Sequence, residues 1–472
     1  MKILLTGTTG YIAQRLLPVL LKDGHELVCC VRDKNRFDVK KYQSDKIKVI
    51  EVDFLDTKSL SLIPDDIDAA YYLIHSMAAV NEDFETLEKN SAINFKERIQ
   101  KTKAKQVIYL SGIVNDLKLS KHLQSRKSVE EILSSASFHL TTLRAGIILG
   151  SGSASFEIIR DLVEKLPIMI APKWLNTKSQ PIAIRNVIEY LKGVLLYEYT
   201  FDKSIDIGGP EILTYKEMLL GFAKVRHLKR KIITVPVMTP KLSSYWLYIV
   251  TSTSYTLATH LVSSMSVEVI CRDNNLRDLL GIQLLSFENA IKLAFVKIQN
   301  EDVVASWTDA LSSNVLHDGI SKLLSVPTFG CFVDKRHIEV KDIHKTLNNI
   351  WSIGGDNGWY YANWLWELRG FIDKLFGGVG LRRGRKNSTI ISAGDSLDFW
   401  RVLYSNKEEK RLLLYAEMKL PGEAWLEFKI INNTLYQTAT FRPLGVWGRM
   451  YWYSVLPFHS LIFRNMLKEI SS

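Results

Sequence analysis

Four cysteines in 472 residues, two of them adjacent as Cys29-Cys30, supply neither a disulfide framework nor the spacing of a metal site. Long apolar runs are missing too. The most apolar longer stretch, Tyr245 to Val262, is broken by Ser, Thr and His, and reads as a buried helix pair rather than a membrane span. No signal peptide is visible, because the apolar start is only a few residues long and runs straight into glycines. These absences lead us to expect a cytoplasmic protein in a reducing compartment, without a transmembrane segment and without a metal. No nucleophile elbow and no nucleic-acid module occurs, so hydrolases of that kind and nucleic-acid readers are set aside.

What is present is ordinary for a soluble globular protein, with 47% hydrophobic and 24% charged residues. The length exceeds what one core usually covers, so two domains are expected. A formal charge of +11 would suit phosphate-bearing ligands or a peripheral contact with an anionic membrane surface; a well-solvated basic surface is the plainer explanation.

The chain is organised around its beginning. Ile3 to Leu5 form a short apolar run, as expected of a parallel strand buried on both faces. Gly7 and Gly10 follow, and then Leu16, Leu17, Leu20 and Leu21 recur at helical spacing until Gly24. Strand, glycine turn and helix in that order bring backbone N–H groups and the positive end of a helix dipole to a diphosphate. Gly7, Thr9, Gly10, Tyr11 and Ile12 are therefore candidate cofactor contacts.

A second strand, Glu26 to Val31, ends in Arg32-Asp33-Lys34 with Arg36 close by. A basic cluster there offers charge-assisted bonds to a 2′-phosphate, whereas an acidic group would accept from the ribose, so NADP is favoured and NAD is the alternative. A third strand, Ile47 to Val52, delivers Asp53 and Phe54 toward an adenine. A fourth, Ala69 to Ile74, ends in Leu73, Ile74 and His75, beyond the carboxyl end where ligands of open α/β sheets bind. Gln106 to Leu110 is a fifth, followed by Ser111, and Thr141 to Ala145 a sixth. Strands alternating with helical stretches predict a doubly wound parallel sheet, a Rossmann domain.

The Thr-Gly-x-x-Gly-Tyr-Ile start, Val31-Arg32-Asp33, Val52-Asp53-Phe54, Ser111 and Leu143-Arg144-Ala145 resemble the short-chain dehydrogenase/reductase superfamily in its atypical, extended, NmrA-like branch. The stretches Ala70 to Met77, Gly150 to Glu157 and Gln180 to Ala183 look like a bacterial subfamily in which this domain is fused to a C-terminal domain of unknown function. The resemblance implies an oxidoreductase and carries Arg144 along as a cofactor contact. Its reductases use a Ser with Tyr-x-x-x-Lys, where the tyrosine exchanges the proton and the lysine holds the nicotinamide ribose. Here the corresponding helix reads His122-x-x-x-Arg126, which keeps the separation and changes the chemistry. Histidine can exchange a proton near neutral pH, whereas arginine cannot act as a base. Ser111, His122 and Arg126 are the candidate catalytic residues, against the alternative that they only close the cofactor cleft. Substrate identity is expected in a substrate-side extension, about 150–300, of a first domain spanning 1–320.

After about residue 340 tryptophan accumulates, from Trp351 to Trp452, building either a dense core or the wall of an apolar site. Ser396 to Tyr404, Arg411 to Lys419, Glu423 to Ile431 and Thr434 to Arg442 are joined by short turns, and so predict an antiparallel meander. An aromatic helix from Trp447 to Met466 follows. Over 335–472 this plan resembles a START-like helix grip, an α+β domain whose relatives hold lipids, sterols or polyketides. The basic glycine run Gly377 to Arg385 would meet an anion or pair with Asp373, Asp395 and Asp398. Three functions remain: an NADP(H)-dependent oxidoreductase acting on a hydrophobic carbonyl or enone compound, a non-catalytic NADP(H) sensor joined to a lipid or quinone carrier, or a structural subunit of a membrane-associated complex that uses the basic and aromatic C-terminal surface.

Overall fold

The computed structural model describes the chain except residues 35–36, 38, 75–83, 115–120, 236–242, 246, 248–258, 260–261, 263–264, 266, 300–325, 328–329, 377 and 381–389. The chain divides into two compact units near residue 314. Most of the Tyr245 to Val262 stretch, together with Arg36, His75 and Leu381 to Arg385, lies outside the described residues.

In the first unit, β1 (Lys2–Leu5), β2 (Glu26–Val31), β3 (Ile47–Glu51), β4 (Ala69–Tyr72), β5 (Gln106–Gly112) and β6 (His139–Ala145) join a seventh strand, Lys203–Ile207. The order is β3-β2-β1-β4-β5-β6 followed by Lys203–Ile207, and every pair is parallel. This is the doubly wound Rossmann arrangement expected from the sequence. The seventh strand was not foreseen, since only Ile205 and Ile207 alternate around Asp206.

Continuous apolar runs in the central strands follow from burial on both faces. On one face α1 (Ala13–Lys22) places Leu16, Leu17 and Leu20 against Val187 and Leu191 of α5 (Ile184–Gly193) and the undersides of β1 and β2. On the other, Phe95 of α2 (Phe84–Ile99) and Val129 of α3 (Lys121–Ser134) pack on Leu4, Val28, Tyr72 and Tyr109. Each fully buried leucine contributes roughly 1.5–3 kcal/mol, so the turn between β1 and α1 is anchored from both ends. A further cluster joins α4 (Ala154–Lys165), α6 (Tyr215–Val225) and the helix Phe287–Gln299 through a triad of Phe156, Phe222 and Phe295, with ring centroids 5.5–5.8 Å apart.

The second unit is a six-stranded antiparallel sheet in the order Phe332–Glu339, Thr434–Pro443, Gly422–Ile431, Arg411–Ala416, Trp400–Asn406, Ser396–Leu397. Asn432 and Asn433 take positive φ values of 46° and 59°, as a tight hairpin turn demands. The expected single strand from Ser396 to Tyr404 is broken, because Asp398 takes φ +53° and reverses the chain between Leu397 and Trp400. Phe332–Glu339, also unforeseen, pairs along its whole length with Thr434–Pro443. The final helix, Gly445–Ser471, buries Phe463, Met466, Leu467 and Ile470 in the same core as Trp359, Trp366, Phe399 and Leu426. Within that core Arg401 donates to both oxygens of Glu417 at 2.9 and 3.0 Å, and both side chains are 0% exposed.

Candidate functional site

The strand order reverses at β1, whose neighbours are β2 and β4, so the crevice beyond the carboxyl ends of β1 and β4 is the topological switch point. Two threonines fix the chain there. The Thr6 hydroxyl donates to Tyr71 O and accepts from Leu73 N, each at 3.0 Å, tying the end of β1 to that of β4. The buried Thr8 hydroxyl lies 2.8 Å from Leu5 O and 3.0 Å from Cys30 O, tying the loop to β2. Between them Gly7 has φ +60°, and a Cβ on it would lie 2.5 Å from Leu73 O. Gly10 N donates to Gly7 O at 2.7 Å, closing the turn.

Ile12 occupies the N-cap of α1 and makes no side-chain cap. Gln14 N donates to Gly10 O and Arg15 N to Ile12 O, each at 3.1 Å, so only part of the first turn is left for a ligand or for water, at the positive end of the dipole. Gly10 is exposed, and a Cβ there would meet Gly7 O at 2.9 Å. A glycine turn pressed on a neighbouring strand, with an uncapped helix behind it, fits the diphosphate of a pyridine dinucleotide.

Beside this loop the Arg15 guanidinium stacks on the Tyr11 ring, 3.8 Å from its centroid, and donates to Tyr11 O and Ser151 O. Burial pushes the Tyr11 phenol up to about 12, opposed by Arg15 and by the nearby Ser153. Its hydroxyl nevertheless has no partner of ordinary hydrogen-bond geometry. Ser153 itself caps α4, accepting from Phe156 N at 3.2 Å. The Gly150 to Ser155 run thus serves as a helix entrance joined to the glycine loop through Arg15.

At the other strand ends, Arg32 is exposed while Asp33 is buried and partnered. The Asp53 carboxylate accepts from Leu55 N at 3.0 Å and shapes the turn after β3. Phe54 is buried against Phe95 with ring centroids 5.7 Å apart, so its ring supports that turn from beneath and presents no stacking face. Leu73 and Ile74 are half-buried just past β4, with the Leu73 carbonyl under Gly7.

Past β5, Ser111 is buried and its hydroxyl finds no partner of ordinary geometry, although it lies close to Tyr109. Arg126 on α3 donates to Leu110 O at 2.8 Å, and its buried Nε is left without a partner. Two unsatisfied polar groups on adjoining elements are what a site awaiting a ligand oxygen would show. The His122 side chain lies outside the described residues. Arg144 makes a bidentate pair with Glu130 at 2.6 and 3.1 Å, so its guanidinium holds β6 to α3 rather than facing a cofactor. Ser204 also donates to Glu130.

Thr8, Arg15, Glu130 and Ser204 went unnoticed in the sequence, and Thr6 entered only as the first residue of the glycine pattern. The two threonines flanking Gly7 carried a legible signal, hydroxyls placed to bridge three parallel strands. The Glu130 cluster depends on residues distant in sequence.

An apolar pocket lies between α4 and α6, lined by Ile158, Leu162, Met169, Trp174, Tyr215 and Met218, with Ser243 at its wall. The indole N–H of Trp174 and the hydroxyl of Ser243 are both buried and without partners.

Residues 7–161 match a family model described as NAD(P)H-binding, and residues 330–466 match one described as a protein of unknown function, DUF2867. No curated protein matches the chain. A nucleoside-diphosphate-sugar epimerase from Staphylococcus aureus has a similar fold, with 13% identity and a TM-score of 0.51, over 62% of this chain and 100% of that one. A UDP-glucose 4-epimerase from Thermotoga maritima, solved with UDP-glucose, aligns at 13% identity and a TM-score of 0.49, over 64% of this chain and 99% of that one. The first unit holds an NAD(P)-binding Rossmann domain with an epimerase fold among its structural neighbours. The chain joins it to a DUF2867 domain.

Proposed function

We propose that this protein is an NADP(H)-dependent oxidoreductase of the atypical short-chain type, acting on a hydrophobic carbonyl or enone compound. The observation that carries the cofactor half is the Gly7 turn, pressed on Leu73 O at the switch point ahead of an uncapped helix. Amides around residues 7 to 12 would hold the diphosphate, Arg32 a 2′-phosphate, Asp53 the adenine edge, and Leu73, Ile74 and His75 the flank of the cofactor. Bound there, the dinucleotide supplies or accepts a hydride. Ser111 would orient the substrate oxygen and Arg126 a ribose hydroxyl, through the two groups now lacking partners. His122, one turn before Arg126, would exchange the proton; this role rests on its spacing.

The apolar character of the substrate is supported by the Trp174 pocket, whose lining side chains carry no charge. In the second unit, a sheet and a long helix sharing one core support a helix-grip reading. Trp366, Phe399 and Phe463 occupy that core, so a ligand would enter only by displacing side chains. A cytoplasmic setting fits the four free cysteines.

The test is NADPH consumption against apolar aldehydes, ketones and enones. Turnover is expected, and unchanged turnover in His122→Ala would remove that residue's role. One observation favours the second reading, a non-catalytic NADP(H) sensor: Arg126 spends a guanidinium N–H on the Leu110 carbonyl. That reading predicts tight coenzyme binding with no turnover on any compound.

A further inference from the structure

Helices on a soluble surface turn apolar stripes inward. Asn363–Leu375 does the reverse. Trp364, Leu368, Phe371, Ile372 and Leu375, with Phe376 just beyond, recur at i, i+4, i+7, i+8, i+11 and i+12 on the solvent side. Trp364 is 65% and Phe376 73% exposed, while Trp366, Gly370 and Asp373 are buried.

The C-terminal helix repeats the pattern. Val446, Met450, Tyr453, Pro457 and Leu461 follow one another at steps of three and four along its outward side. Val446 is 72% exposed and Trp447, beside that line, 76%. The same line then continues as Arg464 and Lys468, both exposed, so the outward face passes from apolar to cationic. The two helices are neighbours, with Trp366 and Phe463 rings 6.1 Å apart and the Arg369 guanidinium 6.0 Å from the Tyr451 ring.

We propose that the second unit docks on the surface of an anionic lipid bilayer through these two helix faces. An exposed apolar area of this extent marks an interaction site. Two features favour a bilayer over a protein partner. The apolar residues form ridges along helices and include Trp364, Trp447 and Tyr453, side chains that settle at the headgroup level. Arg369, Lys374, Arg449, Arg464 and Lys468 border or extend them, against exposed Glu367 and Glu469, in a chain of formal charge +11. Among the described residues no helix is long and apolar enough to cross a membrane, so the contact is interfacial. The proposal stands independently of the cofactor reading.

The test uses the full chain with vesicles of phosphatidylcholine alone or mixed with phosphatidylglycerol. Co-sedimentation is expected with the mixed vesicles, weakening as salt rises. Val446→Ser/Trp447→Ser and Trp364→Ser/Phe376→Ser should each lower the bound fraction by roughly tenfold. Arg464→Gln/Lys468→Gln should weaken binding to mixed vesicles alone. All these residues are exposed, and an unchanged melting temperature would show that each variant folds. Absence of vesicle binding by the wild type overturns the proposal. So does concentration-dependent self-association that the serine variants abolish while vesicles leave it unchanged, which would assign the face to a second copy.

Discussion

Replacing Gly7 with alanine tests the cofactor loop at its most constrained point. A non-glycine residue at φ +60° costs roughly 1–2 kcal/mol by itself. The added Cβ would also lie 2.5 Å from Leu73 O, a backbone atom that no rotamer change moves away. Relief requires the loop to lift from β4, and Thr6 holds the two together with hydrogen bonds to Tyr71 O and from Leu73 N. Losing both adds about 1 kcal/mol each. The total, about 3–4 kcal/mol, is shared between folding and the amide geometry that meets the diphosphate. If half falls on binding, NADPH affinity drops by roughly tenfold or more. Calorimetric titration measures the affinity and thermal unfolding the rest. Gly10→Ala, exposed and without a positive φ but with its Cβ 2.9 Å from Gly7 O, should lose affinity and cost less stability than Gly7→Ala. Gly7→Ala that binds NADPH within a factor of about two and melts with the wild type would refute the reasoning.

Other consequences follow from single contacts. Glu417→Ala leaves Arg401 charged and 0% exposed, and should destabilise the second unit by roughly 3–5 kcal/mol in denaturant titrations, whereas Glu417→Leu with Arg401→Met should recover most of that. Burial would raise the Asp334 pKa, but hydrogen bonds from His459 and Arg336 outweigh it and hold the carboxyl below its usual range. Its contribution is therefore present above the ordinary carboxylate pKa and is lost as pH falls through the depressed value. Asp334→Asn should be less stable than the wild type at neutral pH, the gap closing in acid unfolding curves. Trp174→Phe keeps an aromatic wall and removes the unpartnered N–H, so KM for a carbonyl substrate should rise about fivefold with kcat retained.

The Rossmann half was legible because its signals are local: apolar runs two or three turns apart, a glycine turn and a helix whose leucines share one face. The ends were less so, since Tyr72 closes β4 two residues before its apolar run stops at Ile74. Phe332–Glu339 escaped notice because Asp334, Lys335, Arg336 and His337 mask its alternation, and its pairing with Thr434–Pro443 spans about a hundred residues of sequence. At the site, position after the third strand suggested a cofactor role for Phe54, and the family resemblance one for Arg144. Phe54 is claimed by Phe95 and Arg144 by Glu130, both on helices whose docking sequence does not encode locally. Likewise, the aromatic residues after 340 could be read in the sequence as core or as a ligand wall, and the fold shows those of Asn363–Leu375 and Gly445–Ser471 divided between a buried and an outward side.

The central claim is that the amides from Gly7 to Ile12 hold the diphosphate of a pyridine coenzyme. Titration calorimetry of the full chain with NADPH and NADH addresses it directly. One-to-one binding of NADPH, tighter than NADH by a margin that shrinks in Arg32→Ala, is the result the account predicts. Absence of detectable binding to either coenzyme would contradict it.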